Sequence, residues 1–150
     1  MDELQPLEAW AEPLLASLSP AARSRLARRI GTALRKSQGD RIGRQAAPDG
    51  SPFTPRKEHA RDKKGRIKRH AMFAKMRQAR HLKVRTNPNE VAVGFFGRVA
   101  RIAQVHQDGL VDAVRPGGPR VRYEQRALLG FSAGDQTMIR DLLLDHLDTV

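Results

Sequence analysis

Histidine is the residue type here best suited to bind a metal or transfer a proton. The sequence has five histidines: His59, His70, His81, His106 and His146. The first three are spaced by eleven residues, which would nearly align them on one continuous helix. Gly65 and the polarity of the surrounding residues argue against such a helix. Because neither an HExxH motif nor a carboxylate cluster accompanies these histidines, we predict no metal site and no cofactor.

The other reactive groups also lack the arrangement that catalysis requires. Ser132 does not lie in a nucleophile elbow, and the glycines of RPGGP, residues 115–119, lack the Lys-Ser/Thr pair of a phosphate-binding loop. We interpret the acids between residues 135 and 148 as the exposed face of an amphipathic helix. No nucleophile, base and orienting group occur together, so we predict that the protein is not an enzyme.

The most strongly charged stretch is TPRKEHARDKKGRIKRHAMFAKMRQAR, residues 54–80. Residues 56–69 contain one large apolar residue, Ile67, and a segment that buries so little cannot offset its ordering entropy. We therefore expect a mobile basic loop at about residues 55–70. We assign its basic residues to contacts with an assembly partner or a polyanion: Arg56, Lys57, Arg61, Lys63, Lys64, Arg66, Lys68 and Arg69.

Charge is distributed unevenly along the chain. Residues 1–19 carry a net charge of −4, residues 20–85 carry +17 and residues 86–150 carry −1, for a total of +12. This asymmetry favours a polyanionic partner or complementary contacts between copies. The basic stretch alone is compatible with nucleic acid, a membrane surface or another subunit. Aromatic stacking platforms and nucleic-acid-binding motifs are lacking around it, which weakens the nucleic-acid interpretation.

Length and composition set further bounds. A chain of 150 residues suits a single domain, and the absence of cysteine excludes disulfides and thiolate metal sites. No apolar stretch approaches the roughly 20 residues of a membrane span. The first ten residues, MDELQPLEAW, are acidic, unlike a signal peptide. We therefore predict a soluble intracellular protein without membrane contact.

Hydrophobic spacing predicts two N-terminal helices. In the first, from Leu4 to Leu18, we expect Pro13 to break or kink the helix and Trp10 to anchor it in the core. The second begins with Ser19 as N-cap and Pro20 as its first residue, and it ends between residues 38 and 46. A turn over residues 46–55 then directs Phe53 into the core.

The second half of the chain predicts strands between helices. We expect a short helix at residues 71–79, a β-hairpin at 81–97 about Asn-Pro-Asn, a helix ending at Gly109 and a third strand at 120–123. The last helix has Ser132 as N-cap with Asp135 three residues later. Its predicted buried stripe consists of Met138, Ile139, Leu142, Leu143 and Leu147. The order of elements predicts an α+β fold of N-terminal helices, a small antiparallel sheet with a hairpin, and a C-terminal amphipathic helix.

Four segments in this order resemble the phage virion morphogenesis family, the tail completion proteins of contractile-tailed phages and prophages. They are LSPAARSRLARRIGTALRKSQGDRI, PDGSPFTPRK, VGFFGRVARIAQVHQDG and RALLGFSAGDQTMIRDLLLDHL, and the resemblance covers roughly residues 4–147. The matching motif positions are Pro48, Asp49, Gly50, Phe53, His106, Gln107, Gly109, Arg126, Leu129 and Gly130. Related sequences often have a proline at the position of Ala127. From the residues themselves, Gly109 is a helix C-cap and His106 packs or caps nearby; as motif residues, they could instead shape an interface.

The resemblance implies a structural protein that completes the phage tail and permits the head to join it. It implies a ring of copies at the head-proximal end of the tail, assembled in the host cytoplasm. The implied partners are the protein itself, the tail tube and head-neck proteins, with nonspecific DNA contact also open. The alternative function is that of a small basic protein that binds nucleic acid without sequence specificity.

Overall fold

The computed structural model describes residues 4–56 and 71–148. Helices and strands follow in this order: α1 (Gln5–Ala16), α2 (Pro20–Gly43), β1 (Leu82–Asn87), β2 (Glu90–Phe95), α3 (Arg98–Asp108), β3 (Val111–Ala113), β4 (Arg120–Arg122) and α4 (Ala133–Asp148). The predicted α+β class is confirmed. The predicted mobility of the basic loop concerns residues that lie, apart from Pro55 and Arg56, outside the described ranges.

Local signals fix the two N-terminal helices. The Ser19 hydroxyl accepts a hydrogen bond from the Ala22 amide at 3.2 Å, and Pro20 starts α2, as predicted. By contrast, α1 continues through Pro13 to Ala16, so the predicted break at this residue is wrong. Pro13 lies on the exposed side of α1, together with Ala9, whose carbonyl it leaves without a helical donor. Water can therefore hydrate that carbonyl.

The β1–β2 hairpin lies directly on α2. The strands pair antiparallel from Leu82 opposite Phe95 to Asn87 opposite Glu90, with Asn-Pro-Asn at the turn as predicted. Gly31 on α2 permits the close approach, because a Cβ atom there would lie 2.4 Å from Cγ1 of Val84. The missing side chain therefore sets the distance between helix and sheet.

The third predicted strand belongs to a separate hairpin. β4 pairs antiparallel with β3, with Asp112 opposite Val121, and these two strands form their own two-stranded sheet. The sequence analysis missed β3, since three residues are too few to produce an alternating pattern. The ion pair between Arg101 of α3 and Asp112, at 3.0 Å, connects this hairpin to the preceding helix.

Two buried clusters share α2, which at 24 residues is about 36 Å long. The first cluster joins α1, α2 as far as Leu34, and α4, and its most deeply buried members include Leu26 and Leu143. The second joins the end of α2 to the β1–β2 hairpin, α3 and neighbouring loops. It consists of Ile42, Phe53, Met72, Leu82, Phe95, Ala103 and Leu128. Phe53 is therefore a core residue, as predicted.

Two further expectations about apolar residues are wrong. Trp10 is 40% exposed because its position falls beside the buried stripe of α1, and the Arg140 guanidinium lies 5.8 Å from its ring centre. Residues 71–80 form successive turns instead of a short helix. Phe73 has a φ of 64°, which is incompatible with an α-helix, and this conformation turns its ring toward Phe53.

The last helix begins as predicted. The Asp135 amide donates to the Ser132 hydroxyl, and the Ser132 amide donates to the Asp135 carboxylate, both at 3.0 Å. Ile139 and Leu143 are buried, whereas Leu142 is only partly buried. The interpretation of the helix acids as surface residues holds for Asp141, Asp145 and Asp148 but is wrong for Asp135, which is 2% exposed.

Candidate functional site

Three segments of the chain meet beside the second buried cluster. They are the loop 46–56, the end of α3 and the segment 125–130, and together they contain all ten motif positions named above. We call this assembly of residues the motif cluster. Backbone hydrogen bonds connect its parts, for example from the Arg126 amide to the His106 carbonyl at 2.8 Å. The structure therefore brings together motif residues up to 82 positions apart in the sequence.

The end of α3 holds the segment 125–130 through Gln107. Its side-chain oxygen accepts from the amides of Leu128 and Leu129 at 2.8 and 2.9 Å, and its side-chain nitrogen donates to the Leu129 carbonyl at 2.9 Å. Gly109 ends the helix with φ 64° and ψ 52°, and a Cβ atom there would lie 3.1 Å from that of Gln125. The interpretation of Gly109 as a C-cap is confirmed.

Arg126 joins the same segment to the start of the basic stretch. Its Nε donates to the Thr54 carbonyl at 2.7 Å, and its Nη2 donates to the Pro55 carbonyl at 3.2 Å. Burial lowers the pKa of Arg126, yet a guanidinium remains charged throughout the physiological range. This arginine therefore fixes the backbone immediately before Arg56.

Gln45 holds residues on both sides of the segment 57–70. Its carbonyl accepts from the Phe53 amide at 2.8 Å, while its side chain donates to the Met72 carbonyl and accepts from the Met72 amide at 2.9 and 2.8 Å. The rings of Phe53 and Phe73 also meet edge to face, 5.7 Å apart. Phe53 and Met72 are therefore held close to the same residue, Gln45. Sequence analysis missed Gln45, for which no local pattern gives a signal.

The rings of Phe73, His106 and Tyr123 pack in a row beside Phe53. The His106 ring lies between those of Phe73 and Tyr123, with centroid distances of 4.8 and 5.2 Å. Its Nδ1 is buried and has no hydrogen-bond partner among the described residues. Burial lowers the pKa of His106 from its ordinary value of 6.5, and the positive charges of Arg126 and Arg56 lower it further. His106 is therefore a packing residue that is neutral at pH 7, as the residue-based interpretation expected.

The lowered pKa of His106 makes stability depend on pH. The unfolded chain takes up a proton near pH 6.5 and the folded chain only at lower pH, so stability present above pH 6.5 is lost as the pH falls below it. His106→Phe keeps an aromatic ring but does not titrate. When the pH is lowered from 7.5 to 5, we expect the melting temperature of this variant to fall less than that of the parent. Calorimetry in matched buffers measures this difference. Equal losses in both proteins would contradict the assignment.

Pro48 and Gly130 form the outer contact of the motif cluster. A Cβ atom on Gly130 would lie 2.6 Å from Cγ of Pro48, so only glycine permits this packing. Asp49 stabilises the turn that follows Pro48, since its carboxylate accepts hydrogen bonds from the Ser51 amide at 2.9 Å and from the Ser51 hydroxyl. These hydrogen bonds, the hydroxyl first, lower the pKa of Asp49. Gly50 completes the turn with a φ of 90°.

The contact between Gly130 and Pro48 predicts a specific loss of stability. We expect Gly130→Ala to lower the free energy of unfolding by about 1–3 kcal/mol, as overpacked substitutions do. Gly134→Ala is the matched control, because the nearest atom to its added Cβ is 3.7 Å away and alanine favours the first turn of α4. Urea denaturation of both variants measures the difference. If Gly130→Ala is as stable as Gly134→Ala, the packing described here is wrong.

A buried polar network supports the motif cluster from α2. The Arg41 guanidinium donates to the carbonyls of Leu128 and Ala46 at 2.8 and 3.0 Å, and also to the Gln38 side chain. Gln38 donates to the Gly130 carbonyl at 2.8 Å and to the Asp135 carboxylate at 3.2 Å. Burial lowers the pKa of Arg41, and the charge of Asp135 opposes this shift. Sequence analysis missed the network because its partners are far apart along the chain.

The proposed basic contact residues are placed only in part. Arg56 is described and exposed, whereas the other seven lie outside residues 4–56 and 71–148. Across the described chain, no group of three or more His, Asp or Glu side chains could hold a metal ion. The Ser132 hydroxyl accepts a hydrogen bond from the Asp135 amide and thereby caps α4. No described helix is both long and apolar enough to span a membrane.

Comparison with known proteins agrees with the motif resemblance. The model of the phage virion morphogenesis family matches residues 2–148. The chain is also 41% identical to tail completion protein S of Escherichia phage P2 over 150 residues, which cover 99% of each chain. No solved structure gives a significant match.

Proposed function

Because this chain belongs to the phage virion morphogenesis family, we propose that it completes a phage tail and thereby permits the tail to join the head. The observation that carries this proposal is its 41% identity, along nearly the full length of both chains, to a protein named for tail completion. Identity of that extent, together with a shared family, supports a common role more strongly than a shared fold alone would. The role is structural and non-enzymatic, and assembly takes place in the host cytoplasm.

We further propose that the protein acts as a homo-oligomeric ring at the head-proximal end of the tail, in contact with the tail tube and head-neck proteins. The acidic N-terminal segment and the strongly basic middle of the chain support complementary contacts between copies. A ring around a DNA channel also gains from positive charge, and the net charge is +12. Because α2 contributes to both buried clusters, we propose that the chain works as one domain.

The basic stretch is the proposed contact with a neighbouring subunit or DNA. Arg126 and Gln45 support this placement. Arg126 holds Thr54 and Gln45 holds Met72, so the residues before and after the segment 57–70 are fixed beside the motif cluster. Residues 56–69 include eight Lys and Arg residues, and such a density of positive charge along the chain favours an acidic or polyanionic partner. The motif cluster would then position the stretch, and the basic residues would make the contact.

Neutralising the basic stretch tests its role. We expect replacement of Lys63, Lys64, Arg66, Lys68 and Arg69 by Gln or Ser to leave the melting temperature nearly unchanged, since surface substitutions usually cost less than about 0.5 kcal/mol each. The variant should fail to restore infectious particles to a phage that lacks the protein. The control is the substitution of Arg25 and Arg28, two exposed arginines on α2, by Gln. Normal infectivity with the neutralised stretch would overturn this assignment.

Nonspecific nucleic-acid binding is the second candidate function, favoured by the net charge of +12. A protein with this function should bind duplex DNA as a free monomer, and its affinity should fall steeply with salt. The tail completion role instead predicts weak duplex binding by the free subunit. Titration of fluorescent duplex at several salt concentrations separates the two functions. Tight, salt-dependent binding by the monomer would favour the second.

A further inference from the structure

The β3–β4 hairpin carries three exposed valines. Val111, Val114 and Val121 are 40%, 46% and 39% exposed. An isolated two-stranded hairpin is only marginally stable in water, and in the described chain β3 and β4 pair with each other alone. Packing against another surface would bury these valines and stabilise the hairpin.

The same hairpin is positively charged. Arg115, Arg120 and Arg122 are exposed around the valines. The acid within the hairpin, Asp112, already pairs with Arg101 of α3. Opposite residues of paired strands share a face, so Val111 lies with Arg120 and Arg122 on one face, and Val121 lies with Asp112 on the other. The face with Val111 therefore combines an exposed apolar side chain with two arginines, and arginine is enriched at protein interfaces.

A groove at the other half of the molecule has the complementary character. It lies between α1, α2, α4 and the β1–β2 turn, with a volume of about 560 Å³. Its wall is apolar, and the partly buried Leu15, Ile30 and Val91 leave apolar surface open there. Glu8, Glu12 and Glu90 are exposed at its edge, and among its described lining residues the basic one is Arg23. We call this surface the α1 groove.

We propose that the β3–β4 hairpin of one copy docks in the α1 groove of the next copy. The face that carries Val111, Arg120 and Arg122 would meet the groove, with Val111 on the apolar wall and the two arginines toward the glutamates at its edge. The hairpin follows α3, whose Ala103 belongs to the second buried cluster, so hairpin and groove lie on different halves of one subunit. A contact between them joins copies head to tail, and such a heterologous contact closes into a ring when its rotation permits. This inference rests on the ring proposed above and names its two surfaces.

Two charge-reversal variants test the pairing. The hairpin variant carries Arg120→Glu and Arg122→Glu, and the groove variant carries Glu8→Lys and Glu12→Lys; all four positions are exposed. Each variant alone opposes like charges at every contact, so its self-association should weaken by at least about tenfold relative to the parent. In an equal mixture, the acidic hairpin of one variant can dock in the basic groove of the other. The remaining native hairpin can dock in the remaining native groove, so every contact between unlike chains pairs basic with acidic residues. The mixture should therefore assemble, although neither variant does so alone.

Sedimentation velocity over a concentration series at low salt measures these states, and circular dichroism melts check that each variant is folded. The matched control is Arg25→Glu with Arg28→Glu, which makes the same charge change on α2 outside the groove and should assemble like the parent. Assembly by each variant alone, or a mixture that stays dissociated, would overturn the hairpin-groove pairing and leave the ring proposal standing. A parent protein that remains monomeric at every concentration would overturn both.

Discussion

Leu143→Asp should abolish folding at 37 °C. Leu143 is 2% exposed and belongs to the cluster that joins α1, α2 and α4. A carboxylate there would be buried without a partner, which costs several kcal/mol, and the whole free energy of unfolding of a domain is about 5–15 kcal/mol. We therefore expect a loss of cooperative melting or a large fall in melting temperature.

The adjacent residue supplies the control. Leu144 is 44% exposed, so Leu144→Asp should change the free energy of unfolding by no more than about 0.5 kcal/mol. Leu142→Asp should lie between the two, because Leu142 is partly buried. Circular dichroism melts of the three variants measure the order. Similar melting of Leu143→Asp and Leu144→Asp would show that α4 is not packed as described.

Arg41→Met should lower the free energy of unfolding by several kcal/mol, because each buried acceptor left without its donor costs about 1–3 kcal/mol. Methionine keeps most of the side-chain volume but leaves the carbonyls of Leu128 and Ala46 without their donor. It also removes the positive charge that faces Asp135, which is 2% exposed. The loss should appear in urea denaturation as a lower midpoint with an unchanged slope.

Two comparisons isolate the cause. Arg44→Met removes a charge from the exposed end of α2 and should be nearly neutral. Combining Arg41→Met with Asp135→Asn should cost less than the sum of the two single changes, because both side chains belong to one network through Gln38. Strict additivity, or a neutral Arg41→Met, would contradict the network.

Signals confined to a few neighbouring residues predicted much of the fold. Ser19 with Pro20 marks the start of α2, Gly109 marks the end of α3, and Ser132 with Asp135 marks the start of α4. Each acts through hydrogen bonds or dihedral angles within one turn, so the sequence shows it directly.

Features that depend on distant contacts were not predictable. The Gln38 side chain bonds to Asp135 across 97 positions, and polar residues on a helix ordinarily predict exposure. Gln45 similarly bonds to a backbone 27 positions away. The motif residues of the candidate site came from resemblance, and only the fold explains them: Arg126 and Gln107 hold backbone segments, and Gly130 permits the approach of Pro48.

Electron microscopy of particles made with and without this protein tests the central claim most directly. A phage or prophage that lacks it is induced, and free heads, free tails and joined particles are counted in negative stain, with and without the protein supplied from a plasmid. We predict that heads and tails accumulate separately without the protein and that the plasmid restores joined particles. Normal joining without the protein, or joining that the plasmid does not restore, would contradict a role in tail completion.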